Sequence, residues 1–283
     1  MEDDGNHYPL AVPVLQNQIY VDDCVFGADD VDLARQTRKQ LISLLNRAVF
    51  TLRKWASNTP ALLSNINPND HSVTSTKTLQ PNKPLQPELK VLGVSWNPNV
   101  DSFQFNIIIG ENVPQTKRTI LSTIAKFFDP LGWVTPVVIK GKILMQHLWH
   151  FKCDWDVNIP NAILDEWISY YKQLPCLRQL SLPRWVNYGS YVKSYELHGF
   201  ADASSSAYAA VVYLKTITLS GDVTISLLTA KSKVALLKSI SIPRLELCAA
   251  VLLSRLLVFV KSTLALQSVT SYCWTDSTIV LAW

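Results

Sequence analysis

The chain has 283 residues, of which 48% are hydrophobic and 17% are charged. These values exclude an intrinsically disordered chain, and the length allows one large or two medium domains with a substantial core. The formal net charge of +4 is a mild basic bias, compatible with nucleic-acid binding but too small to establish it.

Cysteine usage and hydropathy bear on the cellular compartment. The five cysteines form no CxxC pair and no zinc-type spacing, so reduced thiols are expected. The acidic residues 1–7 contain no signal-peptide pattern, and no apolar run reaches the length of a membrane span. We therefore expect an intracellular protein, cytoplasmic or nuclear, without a membrane partner.

The first distinctive segment is residues 18–26, in which apolar runs flank Asp22 and Asp23. Short apolar runs around a tight acidic turn predict a β-hairpin. Paired aspartates at a hairpin tip commonly form only a solvated turn, and the alternative is a pair of metal ligands. Acidic residues then open a predicted helix over residues 30–56, because carboxylates favour a helix N-terminus.

The middle of the chain alternates between extended and helical patterns. Residues 57–87 are rich in Asn, Ser, Thr and Pro without a clear period, which predicts a loop or linker. The elements expected after it are a hairpin with arms at 89–96 and 103–107, helices at 116–127, 137–152 and 161–174, and an extended connector at 180–185. Asp129-Pro130-Leu131-Gly132 provides strong turn chemistry between the first two of these helices.

Three possible metal ligands, His147, His150 and Cys153, lie near the end of the second predicted helix. Two histidines three residues apart on a helix, with a cysteine nearby, can contribute to a zinc site. No second ligand cluster accompanies them, so zinc binding is disfavoured.

Asp202 lies between two strand-like runs, residues 195–200 and 207–214. A carboxylate in such an apolar stretch is costly to bury unless a cation or hydrogen bonds compensate it. Taken alone, Asp202 is a turn aspartate. Lys231-Ser232-Lys233 follows another predicted strand at 223–230 and is either a contact for a phosphate backbone or an exposed loop.

Glu246 and Asp276 are two further acids of interest. Pro243 marks the start of a predicted helix, which puts Glu246 in its first turn. Taken alone, Glu246 complements the helix dipole, and Asp276, after a predicted strand at 269–274, caps a following helix. Together with Asp202 they form an oxygen-donor set suited to Mg²⁺ or Mn²⁺. Two such ions about 4 Å apart activate a water and stabilise the leaving oxygen of a phosphodiester.

A family resemblance rests on three short acidic motifs: Phe200–Ser204, Pro243–Leu247 and Trp274–Ser277. In this order they resemble the first three acidic motifs of the ribonuclease H domain of retroelement polyproteins. The resemblance implies that Asp202, Glu246 and Asp276 are catalytic metal ligands. The family's fourth acidic position is not reached before Trp283, so we expect an incomplete metal site.

The hairpin motif Tyr20-Val21-Asp22-Asp23 is similar to the catalytic hairpin of reverse transcriptases, which precedes ribonuclease H in retroelements. The similarity implies that Asp22 and Asp23 hold Mg²⁺ for nucleotidyl transfer, together with an Asp on an earlier strand. Residues 1–19 leave no room for that strand or for a fingers region. We therefore expect a palm remnant without polymerase activity.

A broader similarity, over residues 18–283, links the chain to the polyprotein of BEL/Pao-type retrotransposons. The segments that carry it include Thr116–Arg118, Phe128–Gly132 and Lys140–Leu144. It implies the α/β class, with a palm remnant and a helical connection followed by a ribonuclease H-like mixed β-sheet with flanking helices. The implied domains are a reverse transcriptase palm remnant at 1–60, a linker at 61–87, a thumb/connection-like region at 88–189 and a C-terminally truncated ribonuclease H-like domain at 190–283.

The resemblance predicts a metal-dependent endonuclease that acts on the RNA strand of RNA/DNA hybrids. The alternative is a catalytically inactive retroelement remnant that binds RNA, DNA or their hybrid. Other Pol segments are expected partners within a longer polyprotein. Part of this region in BEL/Pao elements carries a peptidase label, but an aspartic peptidase needs Asp-Thr/Ser-Gly turns so that two carboxylates share a proton. The sequence contains no such tripeptide, which disfavours peptidase activity.

Overall fold

The computed structural model describes residues 5–72, 89–91, 93–105, 107–189, 191–238 and 240–283. The chain divides into two units: the first is Met1–Asn106 with Gln179–Arg184, and the second is Ile107–Arg178 with Trp185–Trp283. Among the described residues, no helix has the length and apolar character needed to cross a membrane.

The first unit begins with two helices around a short hairpin. Its elements are helix α1 (Ala11–Asn17), strands β1 (Ile19–Tyr20) and β2 (Asp23–Cys24), which pair antiparallel, and helix α2 (Val31–Arg47). Ala11 and Val14 of α1 form a small core with Leu41 and Leu44 of α2. The predicted hairpin and the start of the predicted helix are confirmed, whereas α1 was not predicted.

Helix α2 ends at Arg47, well before residue 56, where the prediction placed its end. The last turn closes as a Schellman motif, in which the Phe50 N–H donates to Leu45 O at 2.9 Å and the Val49 N–H donates to Asn46 O at 3.1 Å. Val49 adopts the left-handed φ of 62° that this motif needs. Glycine is the usual residue there, so the sequence carried no stop signal and the prediction was wrong.

The first unit also contains an antiparallel sheet in the order β3-β4-β5-β6. Its strands are β3 (Leu89–Val91), β4 (Val94–Asn97), β5 (Ser102–Gln104) and β6 (Ser181–Pro183). The prediction of one strand over 89–96 was wrong, because Val91 pairs with Val94 across a reversal at Gly93, where φ is 84°. The predicted connector at 180–185 contains β6. Residues 73–87 of the predicted linker lie outside the described residues.

Asp101 gathers hydrogen bonds from three separate segments of the first unit. Its carboxylate accepts from Arg184 Nε at 2.6 Å, from Trp96 Nε1 at 3.0 Å and from Asn58 Nδ2 at 3.1 Å. Burial alone would raise the pKa of Asp101, but these hydrogen bonds, led by the one from Arg184, outweigh burial and lower the pKa below its ordinary value. Asp101 therefore stabilises this unit in its ionised form.

The second unit begins with three helices, α3 (Lys117–Ala125), α4 (Thr135–His150) and α5 (Asn161–Gln173). They confirm the three helices predicted for this region. Trp167 of α5 is fully buried between them, and its indole N–H donates to Pro114 O at 2.7 Å. The buried polar atom of this large side chain is therefore satisfied.

The rest of the second unit is a four-stranded sheet in the order β10-β7-β8-β9. Its strands are β7 (Val192–Ala203), β8 (Ala207–Thr218), β9 (Val223–Val234) and β10 (Thr270–Trp274). Strands β7, β8 and β9 form an antiparallel meander, whereas β10 runs parallel to β7. Helix α6 (Ile242–Thr263) connects β9 to β10, and helix α7 (Thr278–Ala282) follows β10. This mixed sheet with its helices confirms the predicted α/β class.

Helix α6 covers one face of the mixed sheet. Leu197 and Ala201 of β7 belong to the buried core that this helix closes. Gly199 lies on the same face and permits close approach, since a Cβ there would lie 2.5 Å from Leu253 Cδ1. Side chains alternate between the faces of a strand, so the even-numbered residues from 196 to 202 lie on the face that α6 does not cover.

Candidate functional site

The ends of strands β7 and β10 bring two of the predicted acids to one edge of the sheet. These strands run parallel, and the last pair in their register is Phe200 with Trp274. Asp202 and Asp276 each follow this pair by two residues. They therefore lie at the same end of neighbouring strands, which are about 4.8 Å apart. Both side chains are exposed, so neither carries a large desolvation cost.

Asp202 lies within strand β7, not in the turn that the simplest interpretation of the sequence favoured. The turn is stabilised instead by Ser204, whose Oγ accepts from the backbone N–H groups of Ser206 and Ala207 at 3.2 Å each. Asp202 Oδ1 accepts only from the neighbouring Ala203 N–H, at 2.7 Å, among the hydrogen bonds of the described residues. The interpretation of Asp202 as a turn aspartate was therefore wrong.

Glu246 is half-buried on helix α6. The helix begins at Ile242 and has no acid in its first turn, so the prediction that Glu246 occupies that turn was wrong by a small margin. Helix-dipole effects fall off within the first turn, which weakens the purely electrostatic role considered for it. The Glu246 carboxylate instead accepts a hydrogen bond from the hydroxyl of Ser277.

Ser277 connects the start of α6 to the end of β10. It is buried, directly follows Asp276, and also caps helix α7 by accepting a hydrogen bond from the Val280 N–H at 3.3 Å. The cap is therefore Ser277 and not Asp276, which corrects the interpretation of Asp276 as an N-cap. As a result, the Glu246 carboxylate contacts Ser277, the residue that directly follows Asp276.

The fold positions the three acids in two different ways. Asp202 and Asp276 share a sheet edge through the strand register, and Glu246 is tied to it through Ser277. All donors are carboxylate oxygens, which fits Mg²⁺ or Mn²⁺ by ligand type. In these side-chain conformations, no group of three or more His, Cys, Asp or Glu residues in the described ranges is arranged to hold a metal ion. Metal binding by the three acids stays a prediction.

The histidine and cysteine set considered for zinc lies elsewhere in the second unit. His147 and His150 occupy the last turn of α4, and the Cys153 thiol contacts Phe151 O at 3.8 Å. These residues belong to no three-ligand group within the part of the chain that the structure describes.

The acidic hairpin is in the first unit. Tyr20 pairs with Asp23, so the connection between the strands consists of Val21 and Asp22, and Val21 adopts a left-handed φ of 56°. Asp22 and Asp23 are both exposed. The hairpin geometry is confirmed, and the metal-binding role of its two aspartates stays a prediction.

An aromatic cluster next to Asp202 was not found by sequence reasoning. On the open face of the sheet, His198 stacks on Tyr272 with ring centroids 5.0 Å apart, and Phe200 stacks on Trp274 at 6.2 Å. Phe200 and Trp274 are 43% and 50% exposed, although large aromatic residues usually contribute to a core. The available signal was the alternation of Glu196, His198, Phe200 and Asp202, but the pairing with β10 is a tertiary feature.

His198 is fixed by hydrogen bonds on both ring nitrogens. Trp274 Nε1 donates to His198 Nδ1 at 3.3 Å, which leaves His198 Nε2 to donate to Glu196 at 3.0 Å. Lys215 also donates to Glu196 at 3.0 Å. The hydrogen bond from His198, followed by that from Lys215, lowers the pKa of Glu196. His198 thus links the aromatic cluster to the ion pair between Glu196 and Lys215 on the open face.

Comparison with known proteins gives a family and a structural likeness. Residues 116–277 match the family model described as Pao retrotransposon-like RNaseH-like domain, a range that covers more than half of the chain. The chain is also similar to the solved structure of the foamy viral protease-reverse transcriptase dRH in complex with double-stranded DNA, with 13% identity and a TM-score of 0.36. That likeness covers 70% of this chain and 32% of the other, so the chain spans about a third of its length. No curated protein matches the chain in sequence.

Proposed function

The chain belongs to the Pao retrotransposon-like RNaseH-like domain family, and from this premise we propose that it is the part of a retrotransposon Pol polyprotein that hydrolyses RNA in RNA/DNA hybrids. The mixed sheet and its covering helix agree with a ribonuclease H-like architecture. In this proposal residues 190–283 are the nuclease module, residues 88–189 are a thumb or connection region, and the partners are nucleic acid and other Pol segments.

One observation carries the proposal. The parallel register of β7 and β10 brings Asp202 and Asp276 to neighbouring strand ends, and Ser277 holds Glu246 beside them. Carboxylate oxygens are the ligand type that a hard divalent cation prefers, and three of them at one edge of the sheet support a shared Mg²⁺ or Mn²⁺ there.

The proposed ligands are Asp202, Glu246 and Asp276, and the proposed ions are Mg²⁺ or Mn²⁺. When bound, such ions supply Lewis-acid stabilisation and a more acidic water. Asp202 and Asp276 contribute negative charge at the exposed sheet edge. Glu246 contributes the carboxylate oxygen that its hydrogen bond with Ser277 leaves unoccupied.

The two hairpin aspartates are not part of the proposed nuclease site. We propose that Asp22 and Asp23 descend from the metal ligands of a reverse transcriptase palm and retain the hairpin geometry of that site. Their exposure at the tip of β1 and β2 leaves both carboxylates accessible to a cation. No polymerase activity is proposed for the chain.

A second candidate is nucleic-acid binding without cleavage. It is favoured by the hydrogen bond between Ser277 and Glu246, and by the lack of a formed three-ligand group among the described residues. In this candidate the three acids do not share one ion, and the chain keeps only its binding surfaces.

The experiment that separates the two candidates is cleavage of a hybrid whose RNA strand is end-labelled. The full chain is incubated with Mg²⁺ or Mn²⁺ and compared with Asp202→Asn. Asp165→Asn is the matched control, because Asp165 is an exposed acid on α5 in the same unit. We expect metal-dependent cleavage by the wild type and by the control, and loss of cleavage in Asp202→Asn. Equal cleavage by Asp202→Asn would remove Asp202 from the mechanism, and hybrid binding without cleavage by the wild type would favour the second candidate.

A further inference from the structure

The second unit contains an open cleft of about 1010 Å³ between helices α3, α4 and α6 and strand β9. Its described lining combines an apolar floor with four cationic side chains and one carboxylate. The cations are Lys142, Lys231, Lys233 and Arg255, and the carboxylate is Asp129. The cations therefore exceed the acid by three charges.

The single acid of the cleft is already engaged. Asp129 accepts hydrogen bonds from the backbone N–H groups of Trp133 and Val134, both at 2.9 Å. Burial raises the pKa of Asp129, and these N–H donors, together with nearby Lys142, act in the opposite direction. Asp129 thus stabilises the start of α4 and compensates at most one cation.

Three of the cations are available to a ligand. Lys231, Lys233 and Arg255 are exposed, and within the described ranges none of them forms an ion pair or a side-chain hydrogen bond. Unpaired cations gathered along one concave surface attract anions, because the field of like charges adds within a cleft.

The spacing of the two lysines fits a repeating anion. Lys231 pairs with Ala210 and Lys233 pairs with Tyr208, so both lie within β9, which extends to Val234. The interpretation of this segment as an exposed loop was therefore wrong. Residues two apart on a strand are about 6.7 Å apart and lie on one face, a spacing close to that of successive phosphates along a nucleic-acid strand.

The cleft lies at the same end of the sheet as the proposed metal ligands. Asp202 pairs with Ala209, and Ala209 pairs with Ser232, so the two lysines flank a residue level with Asp202. Two strand spacings amount to about 10 Å. This is the separation of the backbones, and the lysine side chains lie on the other face of the sheet, so a polynucleotide that contacts both the acids and the lysines passes around the end of the strands.

We propose that this cleft binds a single-stranded segment of nucleic acid that flanks the strand to be cleaved. The inference rests on the proposed function, and it names a contact surface beyond the acidic edge. Lys231, Lys233 and Arg255 contact successive phosphates. Phe259, which is 53% exposed on the cleft wall, offers a surface to unpaired bases. Cationic grooves with aromatic walls are the usual solution for binding single strands.

The test is fluorescence anisotropy of a labelled single-stranded RNA of roughly 16 nucleotides with the full chain in EDTA. The variant carries Lys231→Gln, Lys233→Gln and Arg255→Gln. The matched control carries the same number of charge losses at Lys140, Lys172 and Lys193, which are exposed in the same unit and do not line the cleft. A second variant, with Lys231→Arg and Lys233→Arg, keeps the charge.

The cleft variant is expected to bind at least about tenfold more weakly, and its log–log salt dependence should become less steep by about 2, since each lost phosphate contact on a single strand contributes about 0.7. The control and the charge-retaining variant should bind like the wild type. Equal affinities of the cleft variant and the control, or loss of binding in the charge-retaining variant, would overturn the inference. The binding assay contains no divalent metal and is therefore independent of cleavage. If the three cations are needed for RNA binding but the chain does not cleave hybrids, only the nuclease proposal is refuted.

Discussion

Gly132 provides a sharp test of how the turn after α3 docks on the mixed sheet. Its φ is +76°, and a Cβ at this position would lie 1.8 Å from Ala230 O and 2.6 Å from Ala230 C. These are backbone atoms of strand β9, so a rotamer change cannot relieve the overlap. Gly132→Ala therefore has to displace the turn from the strand.

The loss of stability in Gly132→Ala can be estimated from the backbone strain and the hydrogen bonds that the displaced turn would lose. A left-handed conformation costs a non-glycine residue about 1–2 kcal/mol. The displaced turn also loses three hydrogen bonds, each worth about 0.5–1.5 kcal/mol net: Ala230 N–H to Leu131 O at 2.9 Å, Thr229 Oγ1 to Leu131 O at 2.7 Å, and Trp133 Nε1 to Leu228 O at 3.1 Å. The expected loss in the free energy of unfolding is about 3–6 kcal/mol.

Equilibrium unfolding in urea measures this loss, and Gly221→Ala is the matched control. Gly221 also has a left-handed φ, of +92°, but a Cβ there would meet no atom within 4 Å. The control isolates the conformational cost of about 1–2 kcal/mol. If Gly132→Ala destabilises the protein no more than Gly221→Ala does, the turn does not pack on β9 as described and the reasoning fails.

Three further substitutions test other parts of the structure. Asp101→Asn should lower the urea midpoint at neutral pH and have little effect well below about pH 3.9. A carboxylate whose pKa is lowered by Arg184 stabilises the fold above its unfolded pKa, and this stabilisation is lost as the pH falls through the folded pKa. An equal effect at both pH values would contradict this. Trp167→Phe leaves a backbone carbonyl without its donor and opens a small cavity in a fully buried site. Calorimetry should therefore detect a loss of about 2–4 kcal/mol in the free energy of unfolding. An unchanged melting temperature would argue against the contact. Ser277→Ala removes both the cap of α7 and the partner of Glu246, and a loss of about 1–2 kcal/mol in urea is expected; no loss would mean that the two hydrogen bonds are not formed in solution.

Local composition and spacing explain which elements could be predicted. Strands β7, β8 and β10 follow from short runs rich in β-branched and aromatic residues, and helix α6 follows from the helical spacing of its apolar residues. The end of α2 could not be predicted, because Val49 adopts a conformation that β-branched residues rarely take. The reversal at Gly93 was hidden inside an otherwise continuous strand pattern.

The candidate site shows a similar division between local and tertiary information. Asp202, Glu246 and Asp276 could be selected from the sequence, because each lies in a short local motif that resembles an acidic motif of the ribonuclease H family. The hydrogen bond between Ser277 and Glu246 joins residues that are distant in sequence, so no local pattern could reveal it. The stacking of Phe200 on Trp274 likewise depends on strand pairing.

The most direct test is Mn²⁺ binding followed by electron paramagnetic resonance. The full chain should carry Asp22→Asn and Asp23→Asn, so that the hairpin does not contribute ions. We expect this protein to retain a Mn²⁺ site that is lost when Asp202→Asn or Asp276→Asn is added and is kept when Asp165→Asn is added. Identical Mn²⁺ uptake by all of these variants would contradict a metal site at the ends of β7 and β10.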